Sequence, residues 1–210
     1  MEIQRIANAG VLLRLDGVSI LLDGLCDRVD GYLPTPPHIV EQLLDAPPDL
    51  LAFTHCHADH CSQALLLPYQ TYKRRPILGP ASLPAGQVRV GDVGITAVET
   101  RHLGKAELGL VHMSYVIEGS KTVWFMGDAS PMQLKKLEKF PRPDVLIAPY
   151  AYANTVLSWA QVMALSPKTV VIVHLPEKEQ DFFDLRHQVE ETAGTFAGLW
   201  LPEIEECKNV

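Results

Sequence analysis

Thr54-His55-Cys56-His57-Ala58-Asp59-His60 packs three histidines and a carboxylate into a short stretch. Just upstream, Leu50-Leu51-Ala52-Phe53 is an apolar run preceded by Pro47-Pro48, the pattern of a buried strand. The polar cluster therefore hangs from a strand's end, where a loop can turn several side chains toward one point. His55 and His57 stand two apart and share a direction in extended backbone. Neutral imidazoles are good ligands for zinc, and a carboxylate can complete a set. Asp59 and His60 follow too closely for all four to serve one tetrahedral ion comfortably. The spacing favours two adjacent metals, with His55 and His57 on one and Asp59 and His60 on the other. The bland alternative is a polar loop whose histidines only hydrogen-bond, which leaves this density of ligands a coincidence.

Three more candidates occur where such a site needs them. His102 follows an apolar strand pattern over residues 95–100, Asp128 follows residues 123–127, which end in glycine, and His174 follows residues 170–173. Each lies just past the C-terminal end of its run, and side chains from several strand ends can converge on one rim of a layered α/β fold. Taken singly, an Asp after Gly is a turn residue and a His after a strand is a surface residue. His112, at the start of another strand, could also face the site. His38 and His187 read as a helix start and a helix's polar side.

Working outward, residues 11–15 and 18–22 form a hairpin about Asp16-Gly17. Asp23-Gly24 reads as a second turn, and residues 25–37 as a loop. Helices are predicted over 38–44, over 62–67 with Pro68 ending it, over 131–139, over 155–165 and over 180–191, the last carrying Phe182, Leu185 and Val189. A helix starting at residue 62 would point its positive end at the histidine loop and favour anions there. Further strands are predicted over 87–90, 111–118, 122–126, 144–148 and 169–173. Two β-then-α halves, about 1–85 and 86–210, suggest one domain of two packed sheets with helices on both outer faces.

The segment resembles the H-x-H-x-D-H signature of the metallo-β-lactamase-fold superfamily, and the later candidates match that superfamily's ligand pattern position by position. The resemblance spans most of the chain, from the hairpin to His174. It implies an α/β four-layer αββα sandwich of two mixed sheets. It also implies a dinuclear site in which His102 joins His55 and His57, His174 joins Asp59 and His60, and Asp128 bridges. The implied cofactors are two divalent ions, zinc first, with manganese or iron(II) as alternatives.

Such a pair of ions keeps the site net positive beside Asp59 and Asp128, so anionic or strongly polarised substrates are favoured. The implied chemistry is hydrolysis of an ester, lactone or similar small molecule by a metal-bridging hydroxide, with Asp59 positioning the nucleophile and carrying its proton. Alternatives are a metal-dependent phosphodiesterase or nuclease and a non-catalytic metal-binding accessory module. Asp128 stands where zinc β-lactamases have a cysteine. Cys61-Ser62-Gln63 replaces the glycines of glyoxalase-II-like members. The nearest general match is the small cytoplasmic lactonase-like branch, which is similar to the ascorbate-6-phosphate lactonases. Tyr150, Tyr152 and Asn154 are candidate substrate contacts, set against tyrosines packing on the core. Arg101 and Lys105 could meet an anionic group.

Composition fits this picture. The 210 residues are 47% hydrophobic and 20% charged, as in a globular protein able to bury a good core. A net charge of −7 argues against a nucleic-acid partner. No apolar run reaches the roughly 20 residues that span a membrane. The N-terminus lacks a signal-peptide pattern, so a cytoplasmic protein with reduced thiols is expected. Of the four cysteines, Cys56 and Cys61 flank the histidines and are further candidate ligands, though small packed thiols are the simpler reading. Lys73-Arg74-Arg75 reads as a solvated basic surface, with phosphate binding as the alternative.

Overall fold

The computed structural model describes residues 1–80, 86–104 and 109–210. Its strands are β1 (Glu2–Arg5), β2 (Val11–Leu15), β3 (Val18–Leu22), β4 (Leu50–Ala52), β5 (Ile77–Leu78), β6 (Gln87–Val90), β7 (Val93–Thr100), β8 (His112–Glu118), β9 (Thr122–Phe125), β10 (Val145–Pro149), β11 (Thr169–Val173), β12 (Leu199–Trp200) and β13 (Cys207–Asn209). They form two sheets, in the orders β13-β1-β2-β3-β4-β5 and β12-β11-β10-β9-β8-β7-β6. Both sheets are mixed. In the first, β1, β2 and β3 pair antiparallel while β4 and β5 run parallel to β3. In the second, β6 to β9 pair antiparallel and β9 to β12 parallel.

The hairpin of β2 and β3 turns through Asp16 (φ 51°) and Gly17 (φ 80°). Two positive dihedrals make the turn whose twist matches its strands. Alternation then sends Val11, Leu13, Ile20 and Leu22 into the space between the sheets, where they meet Ile95, Tyr115, Ile117, Phe125, Ile147 and Val171. The opposite face of the first sheet packs Leu12, Leu21 and Leu51 against Ile39 and Leu43 of α1 (Pro37–Asp45) and Leu66 of α2 (Gln63–Pro68). The outer face of the second sheet packs Val116, Trp124, Leu146 and Val170 against Leu134 and Leu137 of α3 (Leu134–Leu137), Val162 of α4 (Val156–Ala164) and Val189 of α5 (Leu185–Ala193). The result is the four-layer αββα sandwich. A buried bond from Tyr115 Oη to the Phe53 carbonyl, 2.7 Å, ties the two sheets just below the histidine loop.

Three helical segments differ from expectation. α2 ends at Pro68 as expected, but the chain does not leave helical backbone there: it continues as a π-turn over Tyr69–Lys73, with the Arg74 N–H reaching back to the Tyr69 carbonyl. Proline lacks the N–H of the regular α pattern, and the wider turn continues without that bond. Residues 131–139 give only a 3₁₀ turn, Pro131–Gln133, and the single turn of α3. Pro141 and Pro143 follow and disfavour helical backbone before them. The last helix starts at Leu185 instead of residue 180, because the Asp181 carboxylate accepts from the N–H groups of Leu185 and Arg186. Phe182 therefore lies outside the helix and is exposed, as is Phe183. Among the described residues, no helix is long and apolar enough to cross a membrane.

Candidate metal centre

The strands that carry the candidate residues end at one rim. His55, His57, Asp59 and His60 come from the loop after β4, His102 follows β7, Asp128 follows β9 and His174 follows β11. The seven side chains meet there. Candidate ligand atoms of His55, His57 and His102 lie within 4.8 Å of one another, as do those of His55, His60 and Asp128 and those of Asp59, His60 and His174. Asp128 Oδ2 stands 3.4 Å from His60 Nε2, 3.6 Å from His102 Nε2 and 3.3 Å from His174 Nε2. Asp59 Oδ2 stands 3.2 Å from His174 Nε2 and 3.7 Å from His60 Nε2. Two donors on one tetrahedral zinc, each about 2.1 Å from it, lie about 3.4 Å apart. The spacings are those of donors arranged around a cation, and Asp128 Oδ2 lies within reach of His60, His102 and His174 alike.

Burial supports the same reading. Among the described residues, His60 Nε2, His102 Nε2 and Asp128 Oδ1 are buried without a hydrogen-bond partner. Native interiors rarely leave such atoms unpaired, and an ion is one of the accepted reasons. Burial works against charge on His60 and His174, but the Asp128 carboxylate outweighs it and lifts both imidazoles to about 10. Asp128 itself is held well below the usual carboxylate range, because His174 and His60 outweigh the upward push of burial. The rim thus demands positive charge, and protons supply it where no cation does. The donor set of neutral nitrogens and carboxylates fits a divalent metal.

Neighbouring groups aim these donors. Asp23, at the end of β3, accepts from Thr54 N at 2.7 Å and Thr54 Oγ1 at 2.6 Å, and its Oδ2 meets His60 Nδ1 at 2.8 Å. His60 Nε2 is thereby turned to the rim. Thr54 Oγ1 lies 2.9 Å from His55 Nδ1, and the Leu103 carbonyl 2.6 Å from His102 Nδ1. These outer contacts fix tautomer and ring orientation. Asn8 Nδ2 donates to Asp59 Oδ2 at 3.2 Å. His174 has φ 58°, a strained dihedral for a non-glycine residue, and its N–H donates to the Asn8 carbonyl. The buried Arg5 guanidinium donates to the carbonyls of Asn8, Leu175 and Pro202, locking both segments. Gly127 has φ 52° and a Cβ there would sit 2.5 Å from Thr54 Cγ2, so only glycine lets β9 bring Asp128 this close.

His112 belongs to none of the three groups. Its Nε2 accepts from Asp128 N at 3.0 Å, and its Nδ1 lies 2.8 Å from Thr100 Oγ1. Burial presses its pKa down to about 3, so it stays a neutral acceptor. It positions the Asp128 backbone. Neither cysteine joins a group: Cys56 is exposed, and burial pushes the Cys61 thiol up to about 12. Tyr152 is fully buried, its hydroxyl donating to the Ser130 carbonyl, which places it in the core instead of on the rim. Tyr150 and Asn154 are half-buried at the same turn, and Arg101 is exposed. Lys105 lies outside the described residues. His38 and His187 are exposed and meet Glu205 and Glu191.

Sequence reasoning missed four members of this arrangement. Asp23 reads as a turn residue beside Gly24 and Tyr32 as a loop residue, while nothing in the local pattern singles out Arg5 or Asn8. The Tyr32 ring stands edge-on to His174, 4.5 Å between centroids, and burial pushes its phenol upward, so it stays a neutral donor. Only Asp23 carried a signal: it too ends an apolar run at the same rim.

The profile of the Beta-lactamase superfamily domain matches residues 2–174. The chain belongs to this superfamily. A UPF0173 metal-dependent hydrolase of Methanopyrus kandleri is 23% identical over 219 residues, covering 91% of this chain and 92% of the relative. Among solved structures, the metallo hydrolase Igni18 of Ignicoccus hospitalis aligns with a TM-score of 0.65 at 18% identity, covering 99% of this chain and 97% of its own. The metallo-beta-lactamase fold protein YhfI of Bacillus subtilis aligns at 0.64 and 16%, covering 99% and 98%. At these identities the structural likeness is one of fold. In this superfamily member every histidine of the Thr54–His60 stretch is at the rim, and the stretch's hydrogen bonds to Asp23 tie it to the first sheet.

Proposed function

We propose that this superfamily member is a metal-dependent hydrolase acting on an ester, lactone or similarly polarised or anionic small molecule. The reading rests above all on seven donors from both sheets at ligand spacing with buried, unpaired atoms between them. His55, His57 and His102 would hold one divalent ion, Asp59, His60 and His174 a second, and Asp128 would touch both. Zinc suits the donor set, with manganese or iron(II) as alternatives. Such ions supply a water acidified to a pKa of about 7 and a Lewis acid for the electrophilic oxygen.

The chain's own residues do the rest. Asn8 donates to the Asp59 carboxylate at 3.2 Å and would hold it where, ionised beside the cation, it can orient the attacking water and accept its proton. The Tyr32 ring stands against His174, and the half-buried Tyr150 acts electrostatically on Tyr32 and Asp128; burial keeps both phenols neutral, so each offers a donor to a substrate oxygen. The net charge of −7 speaks against a polyanionic substrate such as nucleic acid.

Hydrolysis of 4-nitrophenyl acetate and of bis(4-nitrophenyl) phosphate, before and after chelation, tests the reading. Ester hydrolysis should vanish on chelation and return with zinc or manganese. Asp59→Asn should lower kcat about 100-fold or more. Activity that survives both chelation and His57→Ala would remove the metal from the mechanism.

A further inference from the structure

In the basic run that reads as solvated surface, Arg74 is exposed while Lys73 and Arg75 are half-buried. Arg75 lines a cleft of about 700 Å³ that also reaches His55 and Cys56. That volume is of the size that holds a small organic molecule. Its walls are mainly apolar, from Phe53, Leu66, Leu78 and Val111. Arg75 Nε is buried and has no hydrogen-bond partner among the described residues. The π-turn explains its placement: Arg74 closes that turn in left-handed backbone (φ 49°) and swings the chain back toward β5.

The cleft has a direction. β5 runs parallel to β4, with Leu51 beside Ile77 and Ala52 beside Leu78. The C-terminal ends of both strands face the histidine rim, and Arg75 sits at the other end, before β5 begins. Residues 76–79 cover about 10 Å at the rise of a strand. A ligand lying along this edge meets the donors at one end, apolar walls in the middle and a guanidinium at the other. Among the described residues, clefts of 420 and 600 Å³ lie against α3, away from the rim histidines.

We infer that this cleft is the acyl subsite of the hydrolase, built for an ester whose apolar acyl chain ends in a carboxylate that pairs with Arg75. The inference rests on the hydrolase reading for its reaction and on the cleft for its specificity. In that reaction the oxygen of water bonds to the acyl carbon, the carbon–oxygen ester bond breaks, and the leaving alkoxide takes up the water's proton. The acid product keeps its distal carboxylate on Arg75. Guanidinium suits this role because it presents a planar pair of donors to carboxylate and is always charged.

The test compares the mono-4-nitrophenyl ester of octanedioic acid with 4-nitrophenyl octanoate on the metal-loaded protein. The wild type should favour the diacid ester about tenfold in kcat/KM, the worth of one charge-assisted hydrogen bond. Arg75→Gln should bring the ratio close to one. A ratio near one in the wild type, or one unchanged in Arg75→Gln, overturns the subsite. Val111, exposed at the cleft wall, gives a second variant. Val111→Trp should lower kcat/KM for the octanoate ester relative to the acetate ester, and an unchanged ratio counts against the cleft. Calorimetric binding of octanedioate against octanoate separates this idea from the hydrolase reading. If no ester is cleaved yet octanedioate binds about tenfold tighter in wild type and not in Arg75→Gln, the subsite stands and the hydrolase reading falls. Equal binding of the two acids removes the subsite.

Discussion

Asp23 shows how one carboxylate sets several donors at once. It is fully buried and accepts from the backbone and hydroxyl of Thr54 while meeting His60 Nδ1. Asparagine keeps the volume but replaces one acceptor oxygen with a donor, so one of these contacts becomes donor against donor. His60 then loses the partner that turns Nε2 to the rim. Asp23→Asn should weaken metal binding by about 10–100-fold, the usual effect of losing such an outer partner. Competition against a chromogenic chelator reads this directly, and an unchanged affinity would make Asp23 a purely structural residue. The residues that carry chemistry-bearing side chains in a dense pattern were legible in the sequence. Asp23, Asn8 and Arg5 were not, because their roles depend on long-range contacts that no local spacing announces: Asn8 meets Asp59, and Arg5 meets Pro202.

At the scale of elements, three exposed or half-buried carboxylates pin turns and strand ends. Asp16 in the β2–β3 turn accepts from Ser120 of the β8–β9 turn, Asp49 accepts from Ser19, and Asp144 accepts from Thr122 and Lys168. Hydrogen bonds to their ionised forms hold all three below the ordinary value of 3.8. A depressed folded-state pKa contributes stability that is present above 3.8 and is lost as pH falls through the lowered values. Thermal stability should therefore hold near neutral pH and begin to decline as pH drops below about 4. Replacing all three by asparagine should flatten that decline, and a melting-temperature series against pH checks it. The same scale shows where sequence patterns run out. The long strands and the Asp16-Gly17 hairpin follow from alternation and turn chemistry. β5, β12 and β13 have only two or three residues, too few to show a period, and exist because neighbouring strands offer them an edge. The π-turn after Pro68 and the Asp181 start of α5 are likewise set by hydrogen bonds outside any periodic pattern.

For the whole molecule, the decisive feature is that the donors are divided between the sheets. His55, His57, Asp59 and His60 hang from the first sheet, and His102, Asp128 and His174 from the second. A cation pair at the rim would therefore act as a clamp across the sandwich as well as a chemical group. Without it, Asp128 relies on charged His60 and His174 to offset its burial. A ligand present at a thousand times its Kd stabilises the folded state by about 4 kcal/mol when the unfolded chain does not bind it. For a chain of this size each kcal/mol moves the melting temperature by about 2–4 °C, so saturation should raise it by roughly 8–16 °C. Asp128→Asn, which removes the charge shared by both groups, should shrink that rise. Hydrogen exchange should localise the effect: chelation should speed exchange at residues 55–60 and 127–129 while the β2–β3 hairpin stays protected. A uniform increase across both sheets would mean instead that the cation supports the whole fold, and no increase would mean that the rim is rigid without it.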